Sequence, residues 1–167
     1  MEPYGQDPKT KAVVAAAHER GLGIEPQTSP EGTRTAQDAA RAIGCDVAQI
    51  VKSLVFVAGD DPLLFLVSGA NRLDAERAAR VASVDRLEKA DAATVKRTTG
   101  YSIGATPPFG HAQPLAVFMD EDLLAHERVW AAAGRPDSVF GVHPQRLQEA
   151  TGAVVAKLGA GFAGGRS

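Results

Sequence analysis

The chain has 167 residues, of which 44% are hydrophobic and 23% charged, a balance that fits one folded domain and excludes wholesale disorder. Its formal net charge of −2 excludes a nucleic-acid binder held by bulk positive charge, so any such contact must rest on a local patch. A single cysteine, Cys45, excludes an internal disulfide framework and a cysteine-rich zinc site.

In chain order, residues 1–8 read as a frayed arm without the basic-then-apolar pattern of a signal peptide. The apolar runs are far shorter than the ~20 residues that span a bilayer, so a cytoplasmic protein with no membrane partner is expected. Lys9–Arg20 has helical spacing and stops at Gly21-Leu22-Gly23. Pro26–Gly32 is a polar loop. Thr35-Ala-Gln-Asp38 starts a helix running to Ile43 and ending at Gly44, and Asp46-Val-Ala-Gln49 opens a very short second one. Cys45 lies between them as a small buried or half-buried thiol.

Val51–Ala58 and Leu63–Ser68 are apolar, β-branched segments around Gly59-Asp60-Asp61-Pro62, which predicts a hairpin in the core. Asp74 caps a helix to about Val81, and Asp91 opens another that closes at Thr98-Thr99-Gly100. Strands are predicted at Tyr101–Ile103, Leu115–Met119, Val129–Ala132, Ser138–Val142 and Ala153–Leu158, with a helix over Pro144–Ala150. The glycine-rich tail 159–167 reads as mobile. The order implies an α+β fold with a mixed, mostly antiparallel sheet.

No phosphate-binding Gly-x-x-x-x-Gly-Lys-Ser/Thr loop, dinucleotide fingerprint, His-Glu-x-x-His or Gly-x-Ser-x-Gly occurs. His18, His111, His126 and His143 are widely spaced, so neither a metal nor any other cofactor is expected. Two features remain. Lys52 heads a strongly apolar strand; it is either a strand-end lysine facing water or a fixed ammonium able to hold a phosphate. Thr99-Gly-Tyr-Ser-Ile-Gly-Ala-Thr-Pro-Pro-Phe-Gly-His111 combines three glycines with a proline pair. Such a loop is either a rigid connector or a frame holding peptide N–H groups at one point, as a carbonyl or oxyanion requires.

Together, Val51-Lys-Ser-Leu-Val-Phe56, Val67-Ser-Gly-Ala-Asn-Arg-Leu-Asp74, the 99–111 loop, Val129-Trp-Ala-Ala-Ala-Gly134 and Ser138-Val-Phe140 resemble the YbaK/prolyl-tRNA synthetase-associated editing domain family. The resemblance runs from about Thr35 to Lys157 and implies that family's partly closed sheet surrounded by helices. It also implies hydrolysis in trans of mischarged aminoacyl-tRNA, foremost tRNA(Pro) carrying a small amino acid. A non-catalytic adaptor for tRNA or a synthetase is the alternative.

By the resemblance, Lys52 binds the phosphate of the terminal adenosine, and the Gly-x-x-x-Pro loop matches Gly104-Ala-Thr-Pro-Pro108, whose backbone surrounds the aminoacyl carbonyl and the attacking water. Lys52, Gly104, Ala105, Thr106 and Pro108 are therefore the expected catalytic set, and Ser68, Arg72, Phe109, Gly110 and His111 the expected substrate-binding set. Ala105 replaces the family's commoner second glycine, and its methyl would narrow the pocket or restrict the loop. Arg72 joins a patch with Arg77, Arg80, Lys96 and Arg97 that reads either as facing tRNA or as a solvated face. Expected partners are the tRNA acceptor end and, transiently, prolyl-tRNA synthetase or an elongation factor.

Overall fold

A computed structural model describes residues 2–3, 5, 7–29 and 35–161. β1 (Glu2–Pro3) precedes α1 (Pro8–Glu19), which starts where the Asp7 carboxylate accepts the Thr10 N–H at 2.9 Å. After β2 (Gln27–Thr28), the Thr35 hydroxyl accepts the Asp38 N–H at 3.1 Å to cap α2 (Ala36–Ile43), which ends at Gly44 with φ +86°. A 3₁₀ turn, Val47–Gln49, leads into β3 (Val51–Ala58) and β4 (Asp61–Ser68). Then come β5 (Asn71–Leu73), α3 (Ala75–Ala82), β6 (Glu88–Lys89) and α4 (Ala92–Thr99). The chain continues through β7 (Ala116–Asp120), the 3₁₀ segment Glu121–Ala125, β8 (Val129–Ala132), β9 (Ser138–Val142), α5 (Pro144–Thr151), β10 (Val154–Ala156) and β11 (Gly159–Gly161).

The α+β reading holds, with a mixed five-stranded sheet of order β10-β7-β4-β3-β6 at its centre. β3 pairs antiparallel with β4 and β6, whereas β7 runs parallel to both β4 and β10. A second, antiparallel sheet has the order β1-β2-β9-β8, and β5 pairs with β11. The two larger sheets meet at one isolated parallel bridge between Ile50 and Trp130, and among the described residues neither closes on itself.

Strand alternation sends side chains to two cores. Val51, Val55, Leu64, Leu66 and Met119 pack with Val129, Phe140, Leu147 and the α1 residues Val13 and Ala17. Phe65, Val67 and Phe118 pack on the opposite face against Ala78 and Ala79 of α3. β4 is covered on both faces, which explains its unbroken apolar run. Phe65 stacks on Phe118 at 5.2 Å and meets the edge of Phe56 at 5.9 Å.

Three expectations change. The hairpin turn is tighter than read: Ala58 pairs with Asp61 and Val57 with Pro62, leaving only Gly59 and Asp60 in the turn. Pro62 is tolerated because the residue after the closing pair turns its backbone nitrogen away from β3, and β7 joins β4 only from Leu63 onward. Tyr101–Ile103 is loop, not strand, since its backbone bonds locally: Tyr101 N–H donates to Thr99 Oγ1 and Ala105 N–H to Ser102 O. The predicted strand over Ala153–Leu158 is shorter, β10 alone, paired with β7, and a further short strand, β11, follows it and pairs with β5. Of the tail read as mobile, 159–161 form β11, and 162–167 lie outside the described residues, as do 1, 4 and 6 of the arm and 30–32 of the polar loop.

Candidate active site

An open cleft of about 510 Å³ lies where α2, the first half of β3, the loop 102–106 and the β8–β9 hairpin converge. β6 covers the outer edge of β3 only at Phe56 and Val57, so Val51–Leu54 are left to form one wall. Ala36 and Ala39 of α2, Trp130 and Ala132 of β8, Pro136 and Val139 supply mostly small or rigid apolar surface. The Trp130 ring carries the Arg128 guanidinium 4.7 Å from its centroid, a cation–π contact made across Gly141, where any Cβ would meet that guanidinium.

Lys52 lines this cleft and is half-buried. Its Nζ donates to the main-chain carbonyl of Asn71 in β5. Burial pushes its pKa below the usual lysine value; the Asp120 carboxylate pulls it back up and the Arg72 guanidinium pushes it further down. Arg72 is exposed on β5, near enough to Lys52 to add positive potential at the mouth.

The loop faces the cleft through Gly104 and Thr106, with Ile103 at the lip, 55% exposed. Ser102 O accepts the Ala105 N–H at 2.9 Å, and Gly104 sits third in that turn with φ +87°, the conformation that requires glycine in a type II turn. Ser102 O also accepts the Thr106 hydroxyl at 3.1 Å. The loop is thus pinned by its own side chain, and the Ala105 amide is already used. The Ala105 methyl is 2% exposed and does not line the cleft; its carbonyl accepts the Gly134 N–H at 3.1 Å.

The remaining expected residues support the loop or strand from behind. Pro107 and Pro108 are buried away from the cleft lining. Phe109 is in the core, 5.7 Å from Phe140 and covered by Arg20 at 5.6 Å. Gly110 has φ +76°, and a Cβ there would fall 2.7 Å from Ala16 of α1. His111 Nε2 lies 2.7 Å from Pro107 O, so it carries the proton it donates; burial lowers this imidazole's pKa, the Pro107 bond raises it and Arg20 lowers it. Ser68 is buried at the end of β4, paired with Val51 of β3, its hydroxyl donating to Ala48 O at 2.8 Å. Lys52, Gly104 and Thr106 are therefore brought together, while Ala105, Pro108, Ser68, Phe109, Gly110 and His111 frame them.

Sequence reading assigned no site role to Trp130, Ser53 or Asp120. Ser53 Oγ is buried beside Lys52 in the wall, without a hydrogen-bond partner among the described residues. Trp130, the single tryptophan, carried a signal in being placed on a short strand otherwise built of alanine and valine. Asp120 carried none, because an aspartate following a strand reads as a turn residue.

Known proteins share this fold. The chain superposes with TM-score 0.89 on a crystal structure described as a candidate trans-editing enzyme for prolyl tRNA synthetase, 45% identical, covering 94% of this chain and all of that one. It also superposes with TM-score 0.83 on hypothetical protein APE2540, 29% identical over 89% of this chain and 99% of that one. Uncharacterized protein YwhH of Bacillus subtilis (strain 168) is 29% identical over 69% of this chain and 73% of its own length. The proline–tRNA ligase of Elusimicrobium minutum (strain Pei191) is 32% identical over 60% of this chain, but the match spans only 17% of the ligase. The pattern described as "Aminoacyl-tRNA editing domain" matches residues 30–150, which take in α2, the whole cleft and nearly all of α5. The chain belongs to the aminoacyl-tRNA editing domain family.

Proposed function

We propose that the protein is a deacylase acting in trans on mischarged aminoacyl-tRNA, with tRNA(Pro) bearing a small non-cognate amino acid as its substrate. The observation that carries this reading is the convergence of the Lys52 ammonium and the Gly104–Thr106 loop on one apolar cleft. Lys52 holds the phosphate of the terminal adenosine as a point charge, and the ester carbonyl lies against the loop. Water attacks that carbonyl, the bond to the ribose oxygen breaks, and the free amino acid and intact tRNA leave. An aminoacyl ester is already activated, so positioning and carbonyl polarisation suffice without a protein nucleophile. With the Ala105 amide bonded to Ser102, the neighbouring amides of Gly104 and Thr106 are the ones proposed to face the developing oxyanion.

Small walls favour a small aminoacyl group: Ala36, Ala39, Ala132 and Pro136 cannot retract, and each extra methylene forced against them costs about 1–3 kcal/mol. A panel of tRNAs charged with alanine, serine, cysteine, proline, phenylalanine or tyrosine tests the proposal. Turnover confined to the small residues is expected. Efficient hydrolysis of Phe- or Tyr-tRNA removes the size argument, and binding without any turnover identifies an adaptor instead.

A further inference from the structure

Asp120 ends β7 with 0% exposure, and an ionised carboxylate is costly to bury unless it is well bonded. Its Oδ2 accepts the Ser68 N–H at 3.1 Å and the Asn71 side-chain Nδ2 at 2.9 Å, and its Oδ1 accepts the Asp122 N–H at 3.0 Å. Two of these donors flank the turn between β4 and β5, so one carboxylate fastens both sides of it. The Asn71 amide also donates to Asp122 Oδ2 at 2.8 Å, which fixes its orientation. Gly159 of β11 lies directly on Asn71, at a position where a Cβ would come within 2.6 Å of that side chain. With its side chain held from three directions, Asn71 keeps its main-chain carbonyl on the Lys52 ammonium.

We infer that Asp120 is the positioning residue for Lys52, fixing it through Asn71 and placing a buried carboxylate behind that contact. This rests on the reading of Lys52 as the phosphate-binding group. Among the described residues, the charged groups acting on Lys52 include Asp120 from β7, which favours the charged lysine, and Arg72 from β5, which with burial opposes it; Asp122 lies beyond the Asn71 amide. Capping the 3₁₀ segment after β7 needs only an acceptor at Oδ1, and a capping role alone leaves the ionisation of Lys52 where it was.

The test uses the full chain in four forms: unmodified, Lys52→Ala, Asp120→Asn and Asn71→Ala. Three quantities are measured on each: thermal unfolding, the pH profile of deacylation of Ala-tRNA(Pro), and, without substrate, the titration of Lys52 by NMR of ¹³Cε-labelled lysine. Asp120→Asn should move the Lys52 titration and the alkaline limb of the profile to lower pH together, with about ten-fold or greater loss of kcat/KM at neutral pH. Asn71→Ala leaves the Asp120 charge in place and should lose several-fold in kcat/KM while unfolding near the unmodified temperature. A folded Asp120→Asn whose Lys52 titrates as before overturns the inference. If Asp120→Asn does not fold, Asn71→Ala decides, and unchanged turnover in it overturns the inference equally. Full activity in Lys52→Ala would instead remove the phosphate-binding reading, and the NMR titration would still decide whether Asp120 sets the lysine's charge.

Discussion

At Lys52 a phosphate-binding role needs the ammonium, while half-burial favours the neutral amine and places the folded pKa below the ordinary lysine value. The sign follows: the binding form is lost as pH rises through that lowered pKa, earlier than an exposed lysine would lose it. Lys52→Ala should reduce kcat/KM by about ten- to more than a hundred-fold, the ~1.5–3 kcal/mol of one charge-assisted contact. Its unfolding midpoint in urea should hardly move, since Lys52 sits at the cleft wall rather than in either core. Ala105 behaves differently. Its methyl is buried and off the cleft, so Ala105→Gly should leave the accepted amino-acid size unchanged and lower stability by about 0.4–1 kcal/mol through a freer unfolded chain. A denaturant midpoint and the charged-tRNA panel check the two halves of that statement. Lys52 was visible in sequence because a charge at the head of an apolar strand is anomalous, whereas Asp120 was not, because its significance lies in donors from β4 and β5.

Among the elements, the loop from Gly100 to His111 is held at its far end by the bond from His111 to Pro107 O. The imidazole's pKa is lowered chiefly by burial, so the folded state resists its protonation. Stability from this group is complete above the unfolded value of about 6.5 and declines as pH falls from there through the lower folded value. Thermal unfolding of the unmodified protein should therefore drop between pH 7 and 5, and His111→Gln should flatten that dependence; an equal drop in both would show that other groups set it. Helices were legible from their caps, since Thr35, Asp74 and Asp91 each accept the N–H three residues on. The hairpin was legible from its apolar runs. β5, β6 and β11 were not: they are two or three residues long and polar or glycine-rich, and partners distant in sequence make them strands. Tyr101–Ile103 erred in the other direction, as its β-prone side chains were overruled by the turn that Ser102 O closes.

For the whole molecule, a net charge of −2 bears on how tRNA is held. With Lys52 and Arg72 at one cleft and acidic residues interspersed over the rest, binding should involve few phosphates. Each contact adds about −0.7 to −0.9 to the slope of log affinity against log salt, so a slope shallower than about −6 is expected. Filter binding of tRNA(Pro) across a salt series measures it, and a steeper slope would reveal an extended basic surface.

The pairing of β5 with β11 also orders events in time. Asn71–Leu73 leave the ribosome long before Gly159–Gly161, yet among the described residues that late strand is the one β5 is paired with. Until it arrives, the carbonyl that receives Lys52 lies on an unpaired segment, and Leu158 O is not there to accept the Asp74 N–H at the start of α3. A nascent chain can thus bury most of its core while its lysine is still unanchored, so the proposed phosphate-binding group is set in place only after the chain has become a compact body.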